Sequence, residues 1–206
     1  MAEGEAGTFS RGRVETFSDG VFAIIVTLLV LEIRVPAIGN PESTNELARS
    51  LAALLPKVLS WVTSFFTVCV IWVNHHRLFR MFRCIDHGLF WWNATLLLFV
   101  SFIPFPTALM GDYLANPVAV SCYGLVMGCM AMSFFLLRRH VIRNGALLRE
   151  EIDAHVFAMG TKYALLFGPL PYLAGAAAGW MHPFISLAIY LAIPVYFIFP
   201  HSTQDV

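Results

Sequence analysis

Hydrophobic residues in this chain fall into six long runs that short polar segments separate. Each run approaches the roughly 20 residues that an α-helix needs to cross a lipid bilayer. The runs are continuous and lack the two-residue alternation of a membrane β-barrel, and lipid permits only helices or closed barrels. The pattern therefore predicts an all-α integral membrane protein with six transmembrane helices. We place these helices at 17–36, 52–76, 88–110, 114–138, 155–179 and 182–200.

Basic residues between the runs predict the orientation of the helices. Alternating loops divide them between two sides of the membrane, and positively charged loops favour the cytoplasm. The richer side carries Arg11, Arg13, Arg77, Arg80, Arg83, Arg138, Arg139, Arg143 and Arg149. The other side carries Arg34, Arg49 and Lys57. Both termini are then expected in the cytoplasm, which requires an even number of helices and agrees with six.

Composition supports a membrane protein and narrows the classes of function. The chain has 206 residues, of which 58% are hydrophobic and 13% charged. Its mean hydropathy is +0.71. Soluble domains average roughly 45–50% apolar and about 25% charged residues, so the apolar excess is expected to face lipid. The net charge is zero, which does not favour a nucleic-acid surface. Neither an internal repeat nor a long linker divides residues 1–206, which we interpret as a single domain.

The first run is unusual because it reaches spanning length only by including Asp19 and Glu32. Acidic groups at membrane depth are costly and normally face a bundle interior or a water-filled path. The alternative is that both carboxylates are solvated at the two interfaces. Within the run, Ile24, Thr27 and Leu31 share one helix face. This face suits either a narrow hydrophobic constriction or an ordinary helix–helix contact, and periodicity alone leaves both open.

The segment that opens this run carries a specific motif. Arg13, Phe17, Ser18, Asp19 and Gly20 form the pattern R-x-x-x-F-S-D-G directly before the apolar residues. This pattern resembles that of the transmembrane-protein-175 family, the potassium channels of endosomes and lysosomes with their bacterial relatives. The length of the chain is similar to that of bacterial members, which have a single six-helix repeat, whereas animal members have two. The resemblance therefore implies a multi-pass protein of the bacterial plasma membrane.

The resemblance also implies an assembly and a pore. Family channels are homotetramers of such repeats, and the first helix of each repeat lines a central pore. They lack the T-V-G-Y-G carbonyl filter, as does this sequence. The family pattern implies that Ile24 constricts the pore and that Thr27 and Leu31 line it. Because an apolar ring cannot coordinate a bare cation, we expect K⁺ and other monovalent cations to pass partly hydrated, with modest selectivity for K⁺ over Na⁺. No cofactor is implied.

Polar residues beside the first helix are expected to support it rather than to bind the ion. A half-buried carboxylate needs a partner, and we predict a network joining Asp19 to Arg13 and to His75 or His76, within one subunit or between subunits. In this interpretation Arg13, Phe17, Ser18, Asp19 and Gly20 form a scaffold. The competing idea is that Asp19 concentrates cations at the inner mouth. Adjacent histidines on a helix point about 100° apart, so we predict no metal site at His75 and His76.

Three other functions compete with a channel. A secondary transporter is the leading alternative, although transporters usually have broken helices and charged residues at the midplane. A membrane enzyme needs a nucleophile or a metal cluster, and neither is evident in the sequence, so we do not expect an enzyme. A purely structural membrane protein stays open and would show no ion flux.

Overall fold

The computed structural model of the chain describes residues 8–198. Over that range it has nine α-helices and one antiparallel pair of two-residue strands. The helices are α1 (Arg11–Leu28), α2 (Thr44–Ala52), α3 (Leu55–Arg80), α4 (His87–Phe102), α5 (Pro104–Asp112), α6 (Pro117–Arg143), α7 (Ala154–Phe167), α8 (Pro169–Ala178) and α9 (Pro183–Ile198). The strands are β1 (Thr8–Phe9) and β2 (Ile85–Asp86). The all-α class predicted from the hydrophobic runs is confirmed.

Four segments in the described part of the chain are long and apolar enough to cross a membrane. They are Arg11–Glu32, Leu55–Arg80, His87–Asp112 and Pro117–Arg143. The first joins α1 to a 3-10 turn at Leu29–Glu32, and the third joins α4 to α5. They correspond to the first four predicted helices, but α1, α3 and α6 each extend several residues beyond the predicted cytoplasmic boundary. The polar and basic residues at those ends are therefore helical rather than part of loops.

The predicted fifth helix, 155–179, is two shorter helices. α7 ends at Phe167 and α8 begins at Pro169, with Gly168 between them. Proline has no backbone N–H to donate, and it disfavours the helical conformation of the residue before it. The predicted sixth helix, 182–200, is observed as α9 over 16 residues. Its last two predicted residues, 199 and 200, lie outside the described residues.

The polar segment between the first two predicted helices, 17–36 and 52–76, contains a helix. Ser43 caps the N-terminus of α2, because its side chain accepts a hydrogen bond from the Glu46 N–H. The Glu46 carboxylate in turn accepts hydrogen bonds from the Gly39 and Asn40 N–H groups. The S-x-x-E spacing is the sequence signature of a helix N-terminus, so this element was readable from the sequence although the hydrophobic runs did not reveal it.

The helices surround α6, which packs against α4 on one side and α8 on the other. Tyr123 and Tyr190 lie in the centre, fully buried with ring centroids 5.0 Å apart. The Tyr190 hydroxyl donates a hydrogen bond of 2.9 Å to the Val120 carbonyl. Gly124 allows this packing, because a Cβ atom there would overlap the Tyr190 hydroxyl. The core thus fixes α6, α8 and α9 relative to one another and leaves α1 on the outside.

One end of the bundle gathers the N-terminus of α1 and the C-termini of α3 and α6. The Arg11 guanidinium donates to the Phe82 carbonyl at 3.1 Å, and β1 pairs with β2. The Arg83 N–H donates to the Leu147 carbonyl, and the Arg149 N–H donates to the Met81 carbonyl. These contacts bring the segments that carry the nine arginines of the predicted cytoplasmic side to one end of the molecule.

Candidate functional site

α1 has one buried face and one exposed face over its whole length. The buried face packs on α3 and α4 and consists of Val14, Ser18, Phe22 and Ile25, continued by Leu29 in the 3-10 turn. These positions recur every three or four residues, as the helical period requires. The opposite face has no covering element among the described residues of the chain. It is apolar from Phe17 onwards apart from one hydroxyl, which is unusual for a surface that would meet water.

Ile24, Thr27 and Leu31 lie together on the exposed face. The side chain of Ile24 is 58% exposed and that of Leu31 is 67% exposed. Thr27 is exposed as well, and its hydroxyl donates to the carbonyls of Ile24 at 2.8 Å and Ala23 at 3.2 Å. Because the single hydroxyl hydrogen is held by the helix, the oxygen lone pairs point outward as acceptors. The three residues therefore offer two apolar side chains and one oxygen acceptor along one line.

Asp19 joins α1 to α3 through an aromatic side chain. The indole N–H of Trp72 donates a hydrogen bond of 2.8 Å to the Asp19 carboxylate. The Trp72 ring also stacks on His76, with centroids 5.8 Å apart and planes 24° apart. The carboxylate thus lies at the edge of the interface between the two helices. A hydrogen bond to a charged acceptor is stronger than one between neutral groups.

A second polar connection runs through the buried interface of α1, α3 and α4. The Asn93 amide nitrogen donates to the Ser18 hydroxyl at 3.0 Å, and the Asn93 amide oxygen lies 2.8 Å from His75 Nε2. Because an amide oxygen can only accept, His75 Nε2 carries the proton. The Ser18 hydroxyl donates its own hydrogen bond to the Val14 carbonyl at 2.8 Å. All three side chains are buried, so each satisfies a polar group that water does not reach.

His75 is also held by aromatic neighbours. Its ring stacks on Phe79 with a centroid separation of 4.1 Å, and Phe22 of α1 lies against it at 5.4 Å. The imidazole is therefore a packed part of the interface between α1 and α3. Within residues 8–198, no three side chains of the metal-ligating types gather in one place.

The other residues of the predicted scaffold lie at the exposed surface of α1. Arg13 makes no ion pair with any described residue, whereas Arg11 pairs with Glu15 at 3.4 Å. Phe17 is 58% exposed. A Cβ atom on Gly20 would meet nothing within 4 Å. Contacts of these residues with a neighbouring subunit stay predictions.

Asn93 and Trp72 belong to the site, and sequence reasoning assigned neither of them a role. A signal for Asn93 was present, because an amide in the middle of the run W-W-N-A-T-L-L-L-F must find a partner inside the bundle. Trp72 gave no such signal, since tryptophan near a helix end is common at membrane interfaces.

Comparison with known proteins places this arrangement in a family. The family model described as the endosomal/lysosomal potassium channel TMEM175 matches residues 13–104, which contain α3, α4 and all of α1 except its first two residues. A protein of Chamaesiphon minutus named as a potassium channel is 42% identical over 190 residues, which are 90% of this chain and 92% of that protein.

A solved structure and a human relative agree with this match. The crystal structure of a lysosomal potassium-selective channel TMEM175 homologue from Chamaesiphon minutus superposes with a TM-score of 0.80 at 40% identity, covering 91% of this chain and 96% of that one. The human endosomal/lysosomal proton channel TMEM175 is 32% identical over 174 residues, which are 78% of this chain and 33% of the human protein. The chain is thus a membrane protein that belongs to the TMEM175 family.

Proposed function

We propose that this chain is one subunit of a potassium-permeable channel in the plasma membrane of a bacterium. Four copies assemble around a central pore, and the exposed face of α1 lines it. The observation that carries the proposal is the line of Ile24, Thr27 and Leu31, which nothing in the described chain covers. The similarity to a bacterial protein named as a potassium channel supports potassium as the permeating ion.

Six crossings fit the helices of the chain. The four long segments supply four crossings, α7 with α8 supplies the fifth, and α9 supplies the sixth. The described part of α9 has 16 residues and is about 24 Å long at 1.5 Å per residue, which covers most of the roughly 30 Å hydrocarbon layer. An even number of crossings returns both termini to the arginine-rich end of the bundle. That end faces the cytoplasm, because basic loops are retained there.

Ile24 forms the constriction. Four isoleucine side chains around an axis make an apolar ring without an atom that coordinates a cation, so the ion keeps part of its hydration shell as it passes. One turn further on, four Thr27 hydroxyls present lone pairs, because each hydroxyl hydrogen is bound to its own helix. These oxygens replace some of the lost water. Acceptors of this kind give a preference for K⁺ over Na⁺ that is modest, since the ion is never fully dehydrated.

The polar contacts of α1 support the pore by fixing the rotation of the helix. Ser18 is bound to Asn93, and Asp19 is bound to Trp72, so the two contacts hold adjacent positions of α1 to two different neighbours. A rotation of α1 about its axis would break both. The side of the helix that carries Ile24 is thereby kept away from α3 and α4. The hydrogen bond from the Trp72 indole favours a structural role for Asp19 over a role in concentrating cations at the pore mouth.

The test is K⁺ flux into liposomes that contain the purified protein, with Na⁺ and N-methylglucamine gradients for comparison. We expect fast, non-saturating flux that prefers K⁺ over Na⁺ and excludes N-methylglucamine. Flux that saturates and requires a second ion would instead identify a secondary transporter. No flux from protein that is folded and tetrameric by native mass spectrometry would contradict the channel.

A further inference from the structure

A cavity of about 500 Å³ lies between α3, α6, α7, α8 and α9, and none of the residues that line it belongs to α1. Its volume is in the range of pockets that bind small molecules. One end is polar, with Arg77 and Asn74 of α3 and Arg138 of α6. The rest of the wall is apolar and includes Phe134, Ala164 and Ile193. The cavity is thus amphipathic, with cationic groups at one end and hydrocarbon surface beyond them.

The arginines at the polar end have no acidic partner in the described part of the chain. The ion pairs between residues 8 and 198 involve Arg11, Lys57, Arg83 and His140 as the basic partners, and neither Arg77 nor Arg138 is among them. Arg77 is exposed, whereas Arg138 is only partly exposed. A guanidinium that is withdrawn from water normally has an anionic partner, because the desolvation of its charge is costly, and this argument applies to Arg138. The cavity therefore combines positive charge with an unfilled apolar volume.

Two hydrogen bonds and a contact with an aromatic ring fix the position of Arg138. Its Nε donates to the Thr161 hydroxyl at 3.0 Å, and its Nη2 donates to the Phe157 carbonyl at 3.2 Å. Its guanidinium also lies 4.4 Å above the centre of the Phe157 ring. Gly160 leaves the space for it, because a Cβ atom there would lie 2.9 Å from Nη2. These contacts leave the Nη1 donors without a partner in residues 8–198, so they are available to a ligand.

The length of the cavity fits one leaflet of a bilayer. Along α3 its lining extends from Thr67 to Leu78, twelve residues, which corresponds to about 18 Å of helix. The hydrocarbon layer is about 30 Å thick, so the cavity extends from one interface to about the midplane. Basic pockets between transmembrane helices on the cytoplasmic side suit the headgroups of anionic lipids.

We propose that this cavity binds one anionic phospholipid of the leaflet at the arginine-rich end. The phosphate of the headgroup accepts hydrogen bonds from Arg138 and Arg77, and one acyl chain occupies the apolar part between α3, α7 and α9. The site is separate from the exposed face of α1 and does not depend on ion conduction. Its occupant brings one negative charge to the two guanidinium groups and fills the volume that the side chains leave open.

Native mass spectrometry of the full-length protein in detergent tests the proposal. The ligands are phosphatidylglycerol and phosphatidylcholine with identical acyl chains. We expect phosphatidylglycerol to bind at least tenfold more tightly, which corresponds to about 1.4 kcal/mol. Arg138→Gln and Arg77→Gln each remove most of this preference. Arg139→Gln is the matched control, because it removes the same charge from an exposed neighbouring position of α6 and leaves the preference unchanged.

Further variants and a competition experiment distinguish an anionic lipid from other occupants of the cavity. Ala164→Phe fills the apolar part of the cavity and weakens the binding of both lipids without changing charge. Arg77→Gln tests the headgroup contact at an exposed side chain, whose loss does not endanger folding. Equal binding of the two lipids, or equal effects of Arg138→Gln and Arg139→Gln, would overturn the proposal. Competition by glycerol phosphate would assign the site to a soluble anion. A changed number of subunits in Arg138→Gln at constant lipid count would assign the cavity to a subunit contact.

Discussion

Trp72 donates its indole N–H to Asp19 across the interface of α1 and α3, at 2.8 Å. This contact gives the Asp19 carboxylate an uncharged partner on the neighbouring helix. It also sets the rotation of α1 one residue after Ser18, whose hydroxyl is bound by Asn93. The two contacts together determine which side chains of α1 remain uncovered.

Trp72→Phe removes the hydrogen bond to Asp19 and keeps most of the aromatic packing. We expect it to destabilise the protein by about 1–2 kcal/mol, near the lower end for a bond to a charged group because the contact is partly exposed. K⁺ flux should also fall, because α1 is then no longer fixed at one rotation about its axis. The measurement is thermal unfolding in detergent together with liposome flux. Trp180→Phe is the control, since its indole has no acceptor among the described residues; equal effects of the two changes would contradict the role of the contact.

Asn93→Leu leaves both Ser18 and His75 without their buried partner. An unsatisfied buried polar group costs about 1–3 kcal/mol, so we expect a destabilisation of this size in thermal or dodecyl-sulfate unfolding. Asn45→Leu at an exposed position of α2 should change stability little. Unaltered stability of Asn93→Leu would mean that the buried chain of hydrogen bonds does not hold α1.

The Asp86 carboxylate, just before α4, predicts a dependence of stability on pH. Partial burial raises its pKa, but hydrogen bonds from the Leu89 N–H and from His140 outweigh burial, and the pKa lies below the ordinary 3.8. The contact with His140 measures 3.0 Å to both carboxylate oxygens. Because the folded pKa is the lower one, the stabilisation is complete above the ordinary value and is lost as pH falls through the folded value.

Asp86→Asn tests this dependence, because asparagine keeps an oxygen that can cap α4 but does not titrate. We expect the wild-type protein to lose stability as the pH falls below the ordinary 3.8 and the variant to lose less over the same interval, as measured by thermal unfolding. Parallel pH profiles for the two proteins would contradict a lowered pKa of Asp86.

Thr27→Ala removes the oxygen acceptors next to the constriction. We expect the ratio of K⁺ to Na⁺ permeability to fall towards one, because the apolar ring that remains has no atom that distinguishes the two ions, while Thr27→Ser should retain the ratio. The measurement is the reversal potential in mixed salts. Thr95→Ala is a matched control on α4, since Thr95 also binds a carbonyl of its own helix. An unchanged reversal potential in Thr27→Ala would remove Thr27 from the conduction path.

The sequence predicted the features of the fold that depend on local periodicity. The hydrophobic runs located the four long segments, and spacing within the first run placed Ile24, Thr27 and Leu31 on one side of the helix, where they are exposed together. The break at Gly168 was harder to predict, because its neighbours are as apolar as the middle of a spanning helix. Gly168, Pro169 and Pro171 indicated it, but prolines within apolar runs also occur inside helices, as Pro194 does in α9.

Side-chain partners between helices were the least predictable part. The sequence indicated that Asp19 needs a partner and favoured both Arg13 and a histidine, since charge is the obvious complement of a carboxylate. The observed partner within the chain is Trp72, whose indole N–H reaches the carboxylate, whereas the His75 imidazole is bound to Asn93. Such a choice depends on the packing of Phe22 and Phe79 around His75, which lies beyond any single sequence window.

Thiol accessibility at position 24 tests most directly whether the exposed face of α1 lines the pore. Ile24→Cys is made in a protein whose own cysteines, Cys69, Cys84, Cys122 and Cys129, are replaced by alanine. Leu125→Cys on α6 is the control, because Leu125 is exposed to a similar degree on another helix. We expect a charged, water-soluble thiol reagent to reduce K⁺ current through Ile24→Cys severalfold and to leave Leu125→Cys unaffected. Current through Ile24→Cys that persists although mass spectrometry shows the cysteine modified would contradict a pore lined by α1.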